Sequence, residues 1–219
     1  MIMVLGDVLS QADAKALRAT ASAIPFQDGR ATAGRFAATV KNNEQATDSP
    51  ERAAIFAKVQ QALLANPVFA SAARPRAFGR MLLSRYRPGM EYGLHVDDAI
   101  MGGVRTDLSF TLALSDPADY DGAGLVIEDT FEARTVRLNA GDMVLYPSTT
   151  LHRVEPVTRG ERLAVVGWVT SWVKDPAARE MLFDLDLSVN EVFERDGKSA
   201  LFDRLAKTRS NLLRRWAEG

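Results

Sequence analysis

GDMVLYPSTTLHRVEPVTRGERLAVVGWVT, residues 141–170, holds three short apolar runs separated by turn residues. Residues 143–146, 150–156 and 162–173 read as strands, with Pro147 and Arg159-Gly160-Glu161 as the breaks between them. Branched and aromatic side chains suit a pleated, half-buried surface, and proline and glycine end it. Working back toward the N-terminus, residues 78–87, 106–115, 124–129 and 132–138 have the same texture. They are broken at Pro88-Gly89, Gly102-Gly103, Asp116-Pro117, Asp121-Gly122 and Ala140-Gly141-Asp142. Short strands at such near-regular spacing predict an antiparallel sandwich or barrel.

Helical signals flank this region. After a short strand over 2–9, Ser10 with Asp13 three places on predicts a capped helix ending before Pro25. Residues 30–48 carry mixed signals, including the polar stretch Lys41-Asn42-Asn43-Glu44-Gln45. Ser49 and Pro50 open a second helix, which runs to about Ala65 before Asn66-Pro67. Asp175-Pro176 opens a third through Leu182, Phe183 and Leu185, and a last helix over 199–217 carries Leu201, Leu205, Leu212 and Trp216 on one side. The expected fold is therefore mainly β with flanking helices (α+β). A supporting region of helix and strand spans 1–77, the β core 78–174 and a helical region 175–219.

Composition narrows the function. Of 219 residues 47% are apolar and 25% charged, a balance that fills a core and excludes intrinsic disorder. Lys plus Arg is 27 against 28 Asp plus Glu, which excludes a protein that grips nucleic acid over its whole surface. There is no cysteine, so disulfides, thiolate zinc sites, iron–sulfur clusters and cysteine nucleophiles are out. The first residues lack a basic region and no apolar run approaches the ~18 residues of a membrane span, so a cytoplasmic protein without a membrane partner is expected.

Any metal must then be held by His, Asp and Glu, and the chain has only two histidines, His95 and His152. His95 and Asp97 stand two apart, the spacing that puts two side chains on one face of an extended strand. His152 lies in a later strand that can return beside the first. Two histidines and one carboxylate make the three-ligand face of non-haem iron sites, which leaves positions open for a chelating cosubstrate and oxygen. Arg162 stands ten residues after His152 and shares a strand face with Ala164, Val166 and Trp168. An arginine pointing into an apolar barrel needs an anion, which a dicarboxylate would supply. A surface arginine beside Glu161 is the plainer alternative.

These spacings resemble the Fe(II)/2-oxoglutarate-dependent dioxygenases. Within them, Tyr86-Arg-Pro-Gly89-Met-Glu-Tyr92-Gly-Leu-His95-Val-Asp97 is similar to the prolyl 4-hydroxylase-type signature. Val40-Lys-Asn-Asn43, Arg105-Thr-Asp-Leu-Ser109, Asp119-Tyr-Asp-Gly122, Leu125-Val-Ile-Glu128, Leu145-Tyr-Pro-Ser148 and Pro156-Val-Thr-Arg-Gly160 resemble the bacterial PKHD-type hydroxylases. The likeness covers most of residues 28–187. It implies a double-stranded β-helix (jelly-roll, cupin-like) core with His95, Asp97 and His152 as Fe(II) ligands. It further implies that Arg162 binds the distal carboxylate of 2-oxoglutarate and that Tyr86 hydrogen-bonds this cosubstrate; a core aromatic is the alternative for Tyr86. Hydroxylation with O2, release of succinate and CO2, and L-ascorbate as helper reductant are implied as well. The substrate is unidentified, with a protein or peptide linked to iron homeostasis suggested by the family.

Three neighbouring residues have plainer readings. Tyr92 borders the entrance or is a lid residue, Asp98 is a solvated or supporting carboxylate, and Leu83 and Leu114 are expected to line the barrel. Two rival functions remain at this level: a non-catalytic cupin-like metal sensor, which has no need of Arg162, and a nucleic-acid demethylase. Residues 198–219 hold six Lys/Arg against two Asp/Glu, a basic face more cheaply explained by solvation than by nucleic acid. The amphipathic tail could pack on its own barrel or on a second copy in a homo-oligomer.

Overall fold

The computed structural model describes residues 1–129 and 131–218. Two antiparallel sheets face each other, as in a jelly-roll. The larger has seven strands in the order Met3–Leu5, Met143–Pro147, Leu108–Ala113, Arg162–Ser171, Pro75–Tyr86, Glu44–Ala46, Phe26–Asp28. The smaller has five, in the order Ala133–Val136, Leu125–Glu128, His152–Val154, Glu91–His95, Lys41–Asn42. Strands from the first 77 residues thus extend both sheets. Their presence at 26–28, 41–42 and 44–46 is a feature that the polar composition of this stretch concealed.

Alternation along the strands gives the larger sheet two different faces. Leu83, Phe110, Leu112, Leu114, Leu163 and Val165 share one core cluster with the flanking helices, to which Pro50–Ala65 contributes Ile55, Val59 and Leu63 at four-residue intervals. Leu83 and Leu114 therefore belong to the helix-covered face and do not line the barrel, a correction of the sequence reading. The register that puts Tyr86 inward turns Leu83 outward. On the inner face Tyr86, Ala113, Val144 and Tyr146 pack against Leu125, Ile127 and Val154 of the smaller sheet.

The helices start where their capping residues predict. Ser10 accepts the Asp13 N–H at 3.0 Å, and Ser49 accepts that of Arg52 at 3.1 Å with Pro50 in the first turn. Asn66 ends one helix and caps another, Pro67–Ala73, by accepting the Phe69 N–H at 3.0 Å. Asp175 opens Pro176–Asp196, which continues well past Leu185, and Ser199 opens Ala200–Trp216. This last pair is tied to the core through Asp186, which accepts from Arg74 at 2.6 Å and also from Ser71 and Arg209. Among the described residues no helix is long and apolar enough to cross a membrane.

Candidate metal and cosubstrate site

The site is built where the smaller sheet ends. His152 begins its strand and stands directly opposite His95, the last residue of the neighbouring strand. The two rings lie 4.2 Å apart, centre to centre. Asp97 follows just beyond the strand end, and its Oδ2 lies 3.9 Å from His152 Nε2. Among the described residues these three form the one group of three or more metal-capable side chains with converging ligand atoms, all within 4.8 Å of one another.

Backbone carbonyls select the histidine tautomers. His95 Nδ1 lies 2.8 Å from the Gly93 carbonyl oxygen, and His152 Nδ1 lies 3.0 Å from that of Thr150. Each Nδ1 therefore carries the hydrogen and donates it, which leaves the Nε2 lone pairs to face Asp97. Burial holds the His95 pKa down to about 4, with His152 adding to the effect, so this ring is neutral near pH 7. Tyr92 stacks on the His95 ring at 3.6 Å and fixes its plane.

Asp97 is held by a hydroxyl relay absent from the sequence reading. Ser109 Oγ donates to Asp97 Oδ2 at 2.6 Å, and Ser148 Oγ lies 2.8 Å from Ser109 Oγ. With the Ser109 hydrogen committed to Asp97, Ser148 donates to Ser109. The available signal was Ser109 and Thr111 on the inward face of the otherwise apolar strand Leu108–Ala113. Two histidine nitrogens, one oriented carboxylate and an open side are the donor set of Fe(II) in oxygenases. These residues fit that ion.

Arg162 starts the central strand of the larger sheet, directly opposite Tyr86. Gly160 makes the preceding turn possible: its φ is 75°, and a Cβ there would come 2.0 Å from the Asp119 carbonyl oxygen. Arg162 is buried, at 7% exposure, and its guanidinium lies 5.5 Å over the Tyr86 ring. Among the described residues no carboxylate approaches it within 4.0 Å. A buried cation with no protein counter-ion fits the far carboxylate of a dicarboxylic acid. Tyr86 reaches the same cavity as the metal triad, and its pKa is raised by burial against the opposing pull of Arg162.

The cavity over the triad has a third wall, from the stretch that gave mixed signals. Lys41, Asn43 and Gln45 are buried while Asn42 is exposed, a period-two pattern that marks an inward strand face. That alternation was readable, but the residues are polar and resembled a solvated loop. Lys41 Nζ donates to Thr32 Oγ1 at 3.0 Å, and burial with nearby Arg80 lowers its pKa to about 8. Asp98 is exposed and lies at the mouth against Gly34.

The comparisons agree with this geometry. Residues 81–170 match the 2OG-Fe(II) oxygenase superfamily, and residues 177–218 match the PKHD-type hydroxylase C-terminal domain. The chain is 50% identical to a PKHD-type hydroxylase of Synechococcus elongatus over the full length of both, and 52% identical to one of Maricaulis maris over 88% of each. Among solved structures, a Pseudomonas putida prolyl-4-hydroxylase superposes with a TM-score of 0.56 at 21% identity, over 78% of this chain and 92% of the other.

Proposed function

Since the chain belongs to the PKHD-type hydroxylases, which are Fe(II)- and 2-oxoglutarate-dependent dioxygenases, we propose that it hydroxylates a C–H bond of a protein or peptide at the His95–Asp97–His152 centre. The observation that carries this reading is the pairing of two registers. His152 stands opposite His95 in one sheet and Arg162 opposite Tyr86 in the other, so metal ligands and an unpaired buried cation share one barrel.

In the overall reaction one oxygen atom of O2 enters the substrate as hydroxyl. The other enters succinate as 2-oxoglutarate loses CO2, so atoms and electrons balance. When bound, iron(II) supplies the redox chemistry that activates oxygen. The chain's own groups position the reactants. His95 and His152 present Nε2, Ser109 and Ser148 hold Asp97 in place, and Arg162 and Tyr86 orient the cosubstrate. Leu82, Val166 and the ring of Trp168 give the cavity an apolar wall on one side.

A polypeptide substrate is supported by the rim. Phe36, Val40, Leu94, Val96 and Ile100 expose apolar side chains on the segments that border the cavity, more than a small metabolite needs. A substrate linked to iron homeostasis, ascorbate as helper reductant and a cytoplasmic setting rest on the family resemblance. The division into a support region (1–77), catalytic core (78–174) and helical appendage (175–219) is part of the same proposal, with the two matched segments near the last two parts. The test is mass spectrometry of cell extract treated with the active protein or with His95→Ala. Polypeptides that gain one oxygen only with the active protein support the reading, and the absence of any such product contradicts it.

A further inference from the structure

Among the described residues the cavity wall carries two buried N–H donors without an acceptor and one buried ammonium with a single hydrogen bond. Lys41 is 6% exposed and lies across from Tyr92, its Nζ 5.0 Å over that ring. Its hydrogen bond goes to Thr32 Oγ1 at 3.0 Å; Thr32 Oγ1 lies 2.7 Å from Gln45 Oε1 and 2.9 Å from the Gly29 carbonyl oxygen, and its single hydrogen goes to the nearer of the two. The Gln45 carbonyl is thereby engaged, while its Nε2 is buried without a partner. Trp168 Nε1, on the strand of Arg162, is buried without a partner too. Lys41, Gln45 and Trp168 line the same cavity as His95, Asp97 and His152.

Among the described residues no carboxylate comes within 4.0 Å of the Lys41 ammonium; Asp97 and Asp28 act on it only at longer range, Asp28 being bound by Arg30 and Asp97 by Ser109. Resting on the function proposed above, a charge balance then follows. The two charges of iron(II) and that of Arg162 are matched by Asp97 and the two carboxylates of 2-oxoglutarate. Lys41 is left over. A buried ammonium without a counter-charge is costly, and unpaired buried N–H groups add to that cost.

We propose that Lys41, together with Gln45 Nε2 and Trp168 Nε1, forms the pocket for a carboxylate carried by the primary substrate close to the carbon that is hydroxylated. The charge of Lys41 and two N–H donors match the two oxygens of a carboxylate, and a neutral group would leave the charge unmatched. The hydroxylated site is then an acidic residue or a chain-terminal carboxylate. Oxygen acceptors of the same kind also occur on 2-oxoglutarate, so the test separates the two sources.

The experiment uses the full chain loaded with zinc in place of iron, which prevents turnover, and saturated with 2-oxoglutarate. The indole N–H resonance of Trp168, assigned by its loss in Trp168→Phe, is followed during titration with acetate and with its neutral isostere acetamide. Acetate should shift this resonance saturably and acetamide should not. Lys41→Met keeps the side-chain length against Tyr92; it should weaken acetate binding about tenfold or more, while 2-oxoglutarate affinity changes less than about twofold. An indole signal that ignores acetate in the wild type would overturn the proposal, as would equal acetate affinity in Lys41→Met. A parallel loss of 2-oxoglutarate affinity would reassign Lys41 to the cosubstrate. Failure of the zinc form to bind 2-oxoglutarate at all would instead overturn the dioxygenase site itself, and the pocket with it.

Discussion

Replacing Arg162 with leucine separates cosubstrate binding from fold and from metal. The Arg162 side chain is buried with no protein carboxylate within 4.0 Å among the described residues, and its guanidinium lies over the neutral ring of Tyr86 at 5.5 Å. That cation–π contact is worth about 0.5–2 kcal/mol, and it is opposed by the cost of burying an unpaired charge. The substitution should therefore change the melting temperature of the ligand-free protein little. With 2-oxoglutarate present the cost should be large, because truncating one side of a buried charge pair removes about 2–5 kcal/mol. Affinity should fall roughly thirtyfold to several thousandfold. Anaerobic calorimetry with the iron form reads this directly, and a thermal scan reads it again. Cosubstrate at about 100 times its Kd stabilises the wild type by about 2.7 kcal/mol, a gain the variant should lose at the same concentration. Arg162→Lys should lose less, since it keeps the charge but not the two-pronged geometry. A 2-oxo acid without the distal carboxylate should bind weakly to both proteins. Equal losses for the two acids, with a large drop in ligand-free stability, would refute the reasoning and make Arg162 a structural residue.

Ser109→Ala removes the hydroxyl that aims Asp97 and should weaken iron binding about tenfold or more, measured by competition with a metal chelator. The ligand-free protein should lose stability as pH falls. With the His95 pKa depressed from 6.5 to about 4, the unfolded chain binds the extra proton first; stability is complete above pH ~6.5 and falls by the order of 3 kcal/mol toward pH ~4. His95→Gln should flatten that part of a urea-denaturation profile. Asp186→Ala strands the buried Arg74 and should cost about 3–5 kcal/mol in denaturant unfolding, with iron binding by the folded protein unchanged.

The β core and the capped helix starts were legible because strand texture, capping residues and turn residues are local signals. Pro50, Pro176 and their caps mark helix starts without reference to the rest of the fold. His95, Asp97, His152 and Arg162 were singled out because histidines are scarce and the spacing is specific. Register was not legible, and that explains Leu83 and Leu114, which alternate onto the helix side. The polar wall Lys41-Asn43-Gln45 was hidden for another reason. Its period-two pattern is visible only if polar residues are allowed to face inward, and only tertiary partners such as Thr32 and Tyr86 make that affordable. Ser109 was hidden in the same way, its role set by Asp97 across the barrel.

Anaerobic titration with iron(II), followed by 2-oxoglutarate, addresses the triad and the cosubstrate together. One equivalent of iron should bind per chain, and 2-oxoglutarate should then raise a weak visible charge-transfer band. His152→Ala and Asp97→Ala should bind little iron and give no band. Iron binding and a band that survive both substitutions, or well-folded, iron-loaded wild type that gives no band with 2-oxoglutarate, would contradict the assignment.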